Sequence, residues 1–301
     1  MNKRRFDLLA VLFIFGGLIL LLLVLSRPGL KRTSEWVERI EGDGERIGLV
    51  EVIGPIYDSR NWVRDLDRFR RDRRIKGILV RFDSPGGVTA ASQELYEAVR
   101  RAGDEKPVVA SMGNIATSGA YYAALGADTI IANPSTTTGS IGVIIEFTEI
   151  SDLMHKIGIA SEVVKSGKYK DSGNPAREMT PDERAYFQGY IDDAFSQFVQ
   201  TVARERSLSD EQVLRYADGR VFTGRQAHEY GLVDLLGDQY QAIQLLAGMA
   251  GIDGKPTVVT PPRRRTYEWM DLLLDGAVER LSNRLESRGA FQYRWKPETV
   301  R

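Results

Sequence analysis

The chain has 301 residues, of which 41 are basic and 41 acidic, with two histidines and no cysteine. Balanced charge removes the electrostatic pull on which nucleic-acid binding depends. The lack of cysteine excludes disulfides, thiolate metal centres and cysteine nucleophiles, and leaves only His155 and His228 for imidazole chemistry.

Residues 8–25, LLAVLFIFGGLILLLLVL, form an uncharged apolar run long enough for a helix to cross about 30 Å of hydrocarbon. The RPGLKR that follows contains no small-x-small cleavage site, so the run reads as an uncleaved anchor rather than a signal peptide. Lys3, Arg4 and Arg5 precede it and Arg27, Lys31 and Arg32 follow, so charge does not orient the span. Residues 1–32 are expected to be a membrane anchor with its flanks. Residues 33–45, polar and without an apolar period, read as a linker.

A folded domain is expected over 46–260. IGLVEVIGPI reads as a strand ending at Gly-Pro, and WVRDLDRFRRD places Trp62, Val63, Leu66 and Phe69 on one helix face. KGILVRFDSPGG is a strand running into a glycine turn, SQELYEAVRRA a helix with a stripe of Leu95, Ala98 and Val99, and PVVASMG another strand. TSGAYYAALGA is compatible with a helix, and DTIIANP is a further buried-strand pattern. The alternation predicts an α/β domain around a parallel-type sheet. Residues 261–301 are expected to hold an amphipathic helix and a tail, with Trp269, Leu272, Leu273, Val278, Leu281 and Leu285 on one side, for subunit packing or for a membrane surface reached by Arg263 to Arg265.

Two loops follow strands, where reactive groups of open α/β sheets gather. In DSPGG, residues 83–87, the glycines bring main-chain amides within reach of a developing oxyanion, although an ordinary turn would have the same composition. In NIATSGAYYAA, Ser118 stands at a helix start, the usual place for a plain N-cap. A serine becomes a nucleophile only with a base. His155 in SDLMHKIG and His228 in TGRQAHEYGLVD read as partly exposed structural residues. A desolvated lysine is the alternative base, and VVKSGKYKDSGNP offers Lys165, Lys168 and Lys170, each of which alone reads as a surface charge.

Taken together, DSPGG, TSGAYYAA, GSIGV, SGKYKDSG with REMT behind it, and DGRVFTGRQAHEYGLVD resemble, in content and order, the signal peptide peptidase A (protease IV) family of serine peptidases. The resemblance covers residues 47–251. It implies Ser118 as nucleophile, Lys170 as general base, Ser140 as the hydroxyl that orients the lysine, and Gly86, Gly87 and Gly119 as the oxyanion neighbourhood, with the choice between Gly86 and Gly87 open. It implies a Clp-protease/crotonase-like α/β fold, no metal and no cofactor. One domain's worth of blocks matches the short form of the family, which implies a homo-oligomeric ring. It further implies a single-pass protein of the cell (inner) membrane with its catalytic domain on the extracytoplasmic side, degrading apolar remnant signal peptides, with no nucleic-acid partner. Two other classes share parts of this pattern. A crotonase-type acyl-CoA enzyme would need a catalytic carboxylate in place of the Ser-Lys pair. A silent membrane-protein scaffold would need neither Ser118 nor Lys170.

Overall fold

The computed structural model of the chain describes residues 37–40, 44–261 and 292–294. The anchor expected at 1–32 and the amphipathic helix expected after 261 lie outside these residues. No helix among the described residues is long and apolar enough to cross a membrane.

The strands β2 Arg46–Ile53, β3 Ile75–Ser84, β5 Val108–Thr117 and β6 Thr129–Ala132 form where apolar runs rich in β-branched residues occur, with β1 Val37–Ile40 ahead of them and the short β4 Gly86–Val88 after β3. Further along lie β7 Thr137–Gly139, β8 Val221–Thr223, β9 Leu235–Leu236, β10 Thr257–Thr260 and β11 Gln292–Arg294. The main sheet runs β1-β10-β2-β3-β5-β6-β9, and β7 branches from β5 to carry β8. The pairs β10–β2, β2–β3, β3–β5, β5–β6, β6–β9 and β5–β7 are parallel, whereas β1–β10 and β7–β8 are antiparallel. The domain is therefore mixed α/β, as the alternation of strand and helix patterns predicts. One stretch differs: inside the expected linker, Val37–Ile40 pairs with β10. Four residues are too few for a period of two to stand out from a polar background.

Both faces of the sheet are covered, which explains the near-continuous apolar runs of its central strands. On one face α8, Gln239–Met249, lays Ala242, Ile243, Leu246 and Ala247 over Ile47, Leu49, Leu79, Val109 and Val258. On the other, α1 (Arg60–Arg71) buries Leu66 and Phe69, and α2 (Thr89–Gly103) buries Leu95, Tyr96, Ala98 and Val99. Gly48 belongs to that second face, where a Cβ would stand 2.7 Å from the Phe69 ring. Each fully buried large side chain contributes about 1.5–3 kcal/mol.

Short helices fill the chain between strands: α3 Gly119–Ala124, α4 Ser151–Lys156, α6 Asp210–Leu214 and α7 Gly224–Glu229. The long α5, Pro181–Arg206, starts with a Thr180–Glu183 capping box and has Pro181 in its first turn. Only its second half is anchored. Phe198, Val199, Thr201 and Val202 are buried, whereas most of the first half is exposed. That exposed half carries the chain from Ile144 to Asn174, which lies mostly in solvent.

Candidate active site

The site begins with a fork in β5. Its first half pairs with β6 from Val109 to Met112, and its last residues pair with β7 in the register Ile115↔Thr137, Ala116↔Thr138 and Thr117↔Gly139. Two hydroxyls of that branch pin it to β5: Thr136 Oγ1 donates to the Gly113 carbonyl at 2.6 Å and Thr138 Oγ1 to Ala116 at 2.7 Å. The residues that follow the last register pair are Ser118 and Ser140. Both are buried, and the Ser118 amide donates to the Gly139 carbonyl at 2.8 Å.

Both serines have positive φ, 54° at Ser118 and 51° at Ser140. Ser118 has ψ −118°, outside the regions open to an ordinary L-residue, a strain on the order of 1–3 kcal/mol. The surrounding bonds hold it there. Ser118 precedes α3, and its carbonyl accepts from the Tyr122 amide at 2.8 Å, but its hydroxyl makes no capping bond. Position alone suggests an N-cap; the dihedrals turn the hydroxyl away from that use. A serine on a strained strand-to-helix turn is the geometry by which hydrolases expose a nucleophilic oxygen.

Aromatic packing fixes α3. Tyr122 meets Tyr96 and Phe198 edge-on, with centroids 5.4 and 5.0 Å away, and its hydroxyl is 3.0 Å from Thr201 Oγ1. The Tyr121 hydroxyl donates to the Leu232 carbonyl at 3.0 Å, and full burial pushes its phenol well above the usual range.

The glycine loop lies against this helix. The Gly86 amide donates to Ser84 Oγ at 3.1 Å, and Gly86 takes φ 88°, which suits glycine. Gly87 is locked by contact: a Cβ there would stand 2.1 Å from the Ile56 carbonyl oxygen. Ile56 donates to the Gly86 carbonyl at 2.9 Å and accepts from the Val88 amide at 2.8 Å. A Cβ on Gly119 would lie 2.3 Å from Ser92 Oγ and 3.2 Å from the Gly87 nitrogen. Only glycine at both positions lets the Gly87 main chain come this close to the residue after Ser118. The structure thus brings together Ser118, Ser140, Gly86, Gly87 and Gly119. Pattern reading missed Ile56 and Ser92, which hold the glycine loop in place and have no motif of their own.

Lys170 is not among them. It is exposed, its amide donates to the Gly167 carbonyl at 3.2 Å, and no hydrogen bond or ion pair joins it to Ser118 or Ser140 among the described residues. Its neighbour Tyr169 stacks on Tyr186 with centroids 5.1 Å apart. Tyr186 precedes Phe198, the contact of Tyr122, by twelve residues, about 18 Å of helix. Lys165 is paired with Asp171 and Lys168 with Asp182, as surface lysines would be. His155 and His228 are exposed, in agreement with a structural role.

The segment carrying Lys170 is nevertheless ordered by charge. Arg177 reaches Asp171 at 3.0 Å and Glu183 at 2.5 Å, and Glu183 also accepts from Ser172 Oγ and the Thr180 amide. The Arg177 guanidinium, helped by Lys165, holds the Asp171 carboxyl down at about 2. Arg177 and then the Thr180 amide hold Glu183 well below the usual carboxylate range. The REMT block of the sequence pattern therefore clamps the lysine segment. A cleft of about 370 Å³ opens beside Ser140, lined by Val143, Ile144, Ile191 and Phe195 among others.

The model of peptidase family S49 matches residues 100–253. A candidate protease of Synechocystis sp. is 44% identical over 210 residues, covering 69% of this chain and 76% of its own. The chain belongs to peptidase family S49. The chloroplastic serine protease SPPA of Arabidopsis thaliana is 36% identical over 249 residues, 77% of this chain and 37% of the plant protein. This S49 chain is accordingly a serine peptidase, and its substrates are peptides. Among solved structures, a ClpP1 mutant from Listeria monocytogenes superposes with a TM-score of 0.45 at 14% identity, over 64% of this chain and 93% of that one, a likeness too slight to bear on function.

Proposed function

We propose that this S49 peptidase is a membrane-anchored serine endopeptidase with a Ser118–Lys170 dyad, built on a Clp-protease-like fold, that degrades apolar peptides such as remnant signal peptides on the extracytoplasmic side of the membrane. The observation that carries the reading is Ser118 itself: a buried, strained residue at a strand-to-helix turn whose hydroxyl is left free of capping. The apolar run at 8–25 supports the anchor, and Val143, Ile144, Ile191 and Phe195, which line the cleft beside Ser140 together with Gln188, Asp192 and Asp218, offer apolar contacts to a substrate.

Ser118 Oγ attacks a peptide carbonyl while a neutral lysine takes its proton, and the ammonium then protonates the leaving amine. The Gly87 amide, free of Ile56 and beside Gly119, holds the oxyanion. The Gly86 amide is already engaged by Ser84. Water hydrolyses the acyl-enzyme and restores Ser118.

Within one chain the lysine stands apart from the serine, so the dyad is completed between copies in the homo-oligomeric ring. Two observations support this. The projecting segment exposes Leu153, Ile157, Ile159, Val164, Tyr186 and Tyr190, an apolar surface suited to a second copy. Thr117 Oγ1, next to the nucleophile, is buried without a partner among the described residues, a cost of about 1–3 kcal/mol that a donor entering from outside would relieve. Complementation tests the whole reading. Ser118→Ala and Lys170→Ala chains are each expected to be inactive on a fluorogenic apolar peptide, and mixed oligomers of the two to regain activity. A dead mixture despite proven co-assembly would place the lysine within its own chain. An active Ser118→Ala enzyme would end the assignment.

A further inference from the structure

Where β5 changes partner from β6 to β7, it also falls out of step with β3. The pairing with β3 is regular from Ile78↔Val108 to Phe82↔Met112, and the next pair is Ser84↔Ala116. One residue, Asp83, therefore faces three, Gly113, Asn114 and Ile115. The last pair with β6 is Met112↔Ala132 and the first with β7 is Ile115↔Thr137, so the two extra residues sit at the fork itself. Had the strands stayed in step, Ser84 would stand opposite Asn114, and Ser118 would lie two residues, about 7 Å, further past the glycine loop. The bulge draws the serine back and re-aims the chain that follows it.

An interrupted ladder leaves main-chain groups for side chains to satisfy. Asp83 Oδ1 accepts from the Ile115 amide at 3.3 Å, and Oδ2 accepts from Asn114 Nδ2 at 2.9 Å. Gly113 leaves room for the carboxylate, since a Cβ there would stand 3.0 Å from Asp83 Cγ, and its carbonyl is held from the other side by Thr136. Just ahead of the bulge, Arg81 Nη1 donates to Ser111 Oγ at 2.7 Å and to the Met112 carbonyl at 3.1 Å, which fixes the last regular pairs. The main chain of Asp83 faces the other loop. Its carbonyl accepts from the Gly54 amide at 3.0 Å, in the turn that leads to Ile56, the partner of Gly86 and Val88.

We propose that Asp83 is a positioning residue for hydrolysis: its carboxylate holds the bulge of β5 while its main chain holds the Ile56 turn, so that one residue sets Ser118 and the Gly87 amide level with each other. This rests on the reading of Ser118 as nucleophile and of the Gly87 amide as oxyanion donor given above. Asp83 acts through the placement of those groups. Because a displacement of about 1 Å between reacting groups costs on the order of a hundredfold, loosening the bulge falls on kcat rather than on KM.

Exchange of two side chains tests this in the full-length chain, with kcat and KM on a fluorogenic apolar peptide, the rate of fluorophosphonate labelling, and thermal melting. Asn114 is exposed, so Asn114→Asp leaves the core intact but sets a second carboxylate against Asp83 with no N–H between them. It is expected to lower kcat and the labelling rate tenfold or more, with KM within threefold of wild type and melting still cooperative. The double variant Asp83→Asn/Asn114→Asp, in which amide and carboxylate have changed places, restores the bond and is expected to bring both rates back to within threefold of wild type. An Asn114→Asp chain that labels at the wild-type rate, a loss confined to KM, or a double variant no faster than Asn114→Asp overturns the placement by Asp83 and leaves the peptidase reading standing. A wild-type chain that neither labels nor hydrolyses the peptide overturns both.

Discussion

Gly87→Ala separates the role of the glycine loop from its mere presence. The new methyl would stand 2.1 Å from the Ile56 oxygen and 2.6 Å from its carbonyl carbon, both main-chain atoms that no rotamer change can move aside. Ordinary contact begins near 3.4 Å, so β4 must retreat from Ile56 by about 1.3 Å. Retreat breaks the 2.9 Å bond from Ile56 to Gly86 and the 2.8 Å bond from Val88 to Ile56. Two backbone bonds at about 1 kcal/mol each, with some residual crowding, give a loss of about 2–4 kcal/mol. For a domain of this size that corresponds to a fall in Tm of about 4–16 °C. The kinetic effect is larger. Displacing the oxyanion amide by about 1 Å costs on the order of a hundredfold, and losing it costs a hundred- to a thousandfold.

The assay is kcat/KM on a fluorogenic apolar peptide alongside thermal melting, with Gly48→Ala as the matched control. A methyl at Gly48 presses on Phe69 in the core, away from Ser118, and lowers stability without touching the site. Gly87→Ala is expected to lose at least a hundredfold in rate at a temperature where both variants are folded, and Gly48→Ala less than threefold. Equal melting losses with equal activity would show that the Gly87 amide does not serve the oxyanion.

Lys170→Arg is expected to abolish peptide hydrolysis although it keeps the charge, because a guanidinium stays protonated at any working pH and cannot accept the serine proton; Lys165→Ala and Lys168→Ala should retain most of the wild-type rate in the same assay. Arg177→Ala should lower kcat tenfold or more with little change in the melting of the core, since it releases Asp171 and Glu183 together; Arg177→Lys, which cannot fork between two carboxylates, should fall between. In acid, the same clamp supplies a step in local order. The Asp171 carboxyl is held at about 2 and Glu183 is held below its usual range, so their contribution is complete above the unfolded carboxylate range near pH 4 and is lost as pH falls through about 2. Amide exchange over 171–180, referenced to β3, should accelerate across that window, and Arg177→Ala should remove the step.

The central strands were legible because both faces of a parallel sheet are buried, so their apolar runs have no other ready explanation. Trp62, Leu66 and Phe69 on α1 and Leu95, Ala98 and Val99 on α2 likewise repeat at helical spacing. β7, β8 and β9 were not legible, since three or two residues carry no period, and β1 was hidden in a polar stretch. Ser118 is a subtler case. Its local sequence is that of an N-cap, and φ 54° with ψ −118° leaves no trace in residue type at 118 itself. The trace lies one residue on, at Gly119, where any side chain would strike Ser92. Only the resemblance across several blocks tied that glycine to the serine and to the DSPGG loop.

The lysine segment shows what sequence order leaves undecided about the distance between two candidate site residues. Sequence order places Lys170 after Ser140 and before α5, and nothing in periodicity distinguishes an apolar residue meant for its own core from one meant for a neighbour. The structure makes that distinction by exposure: Val164 is 96% exposed and Ile157 61%, whereas the apolar residues of β2, β3 and β5 are almost wholly covered apart from Ile53 and Ile115 at their ends. Yet the same segment is clamped by Arg177, Asp171 and Glu183, so its exposed face is presented in a fixed shape rather than left loose. On the proposed mechanism, a fixed apolar face ending in an exposed lysine and a buried serine with a free hydroxyl are complementary halves of one reaction centre. If the dyad is completed between copies, as proposed above, assembly switches the activity on, and dilution below the assembly concentration should abolish hydrolysis with Ser118 and Lys170 both intact.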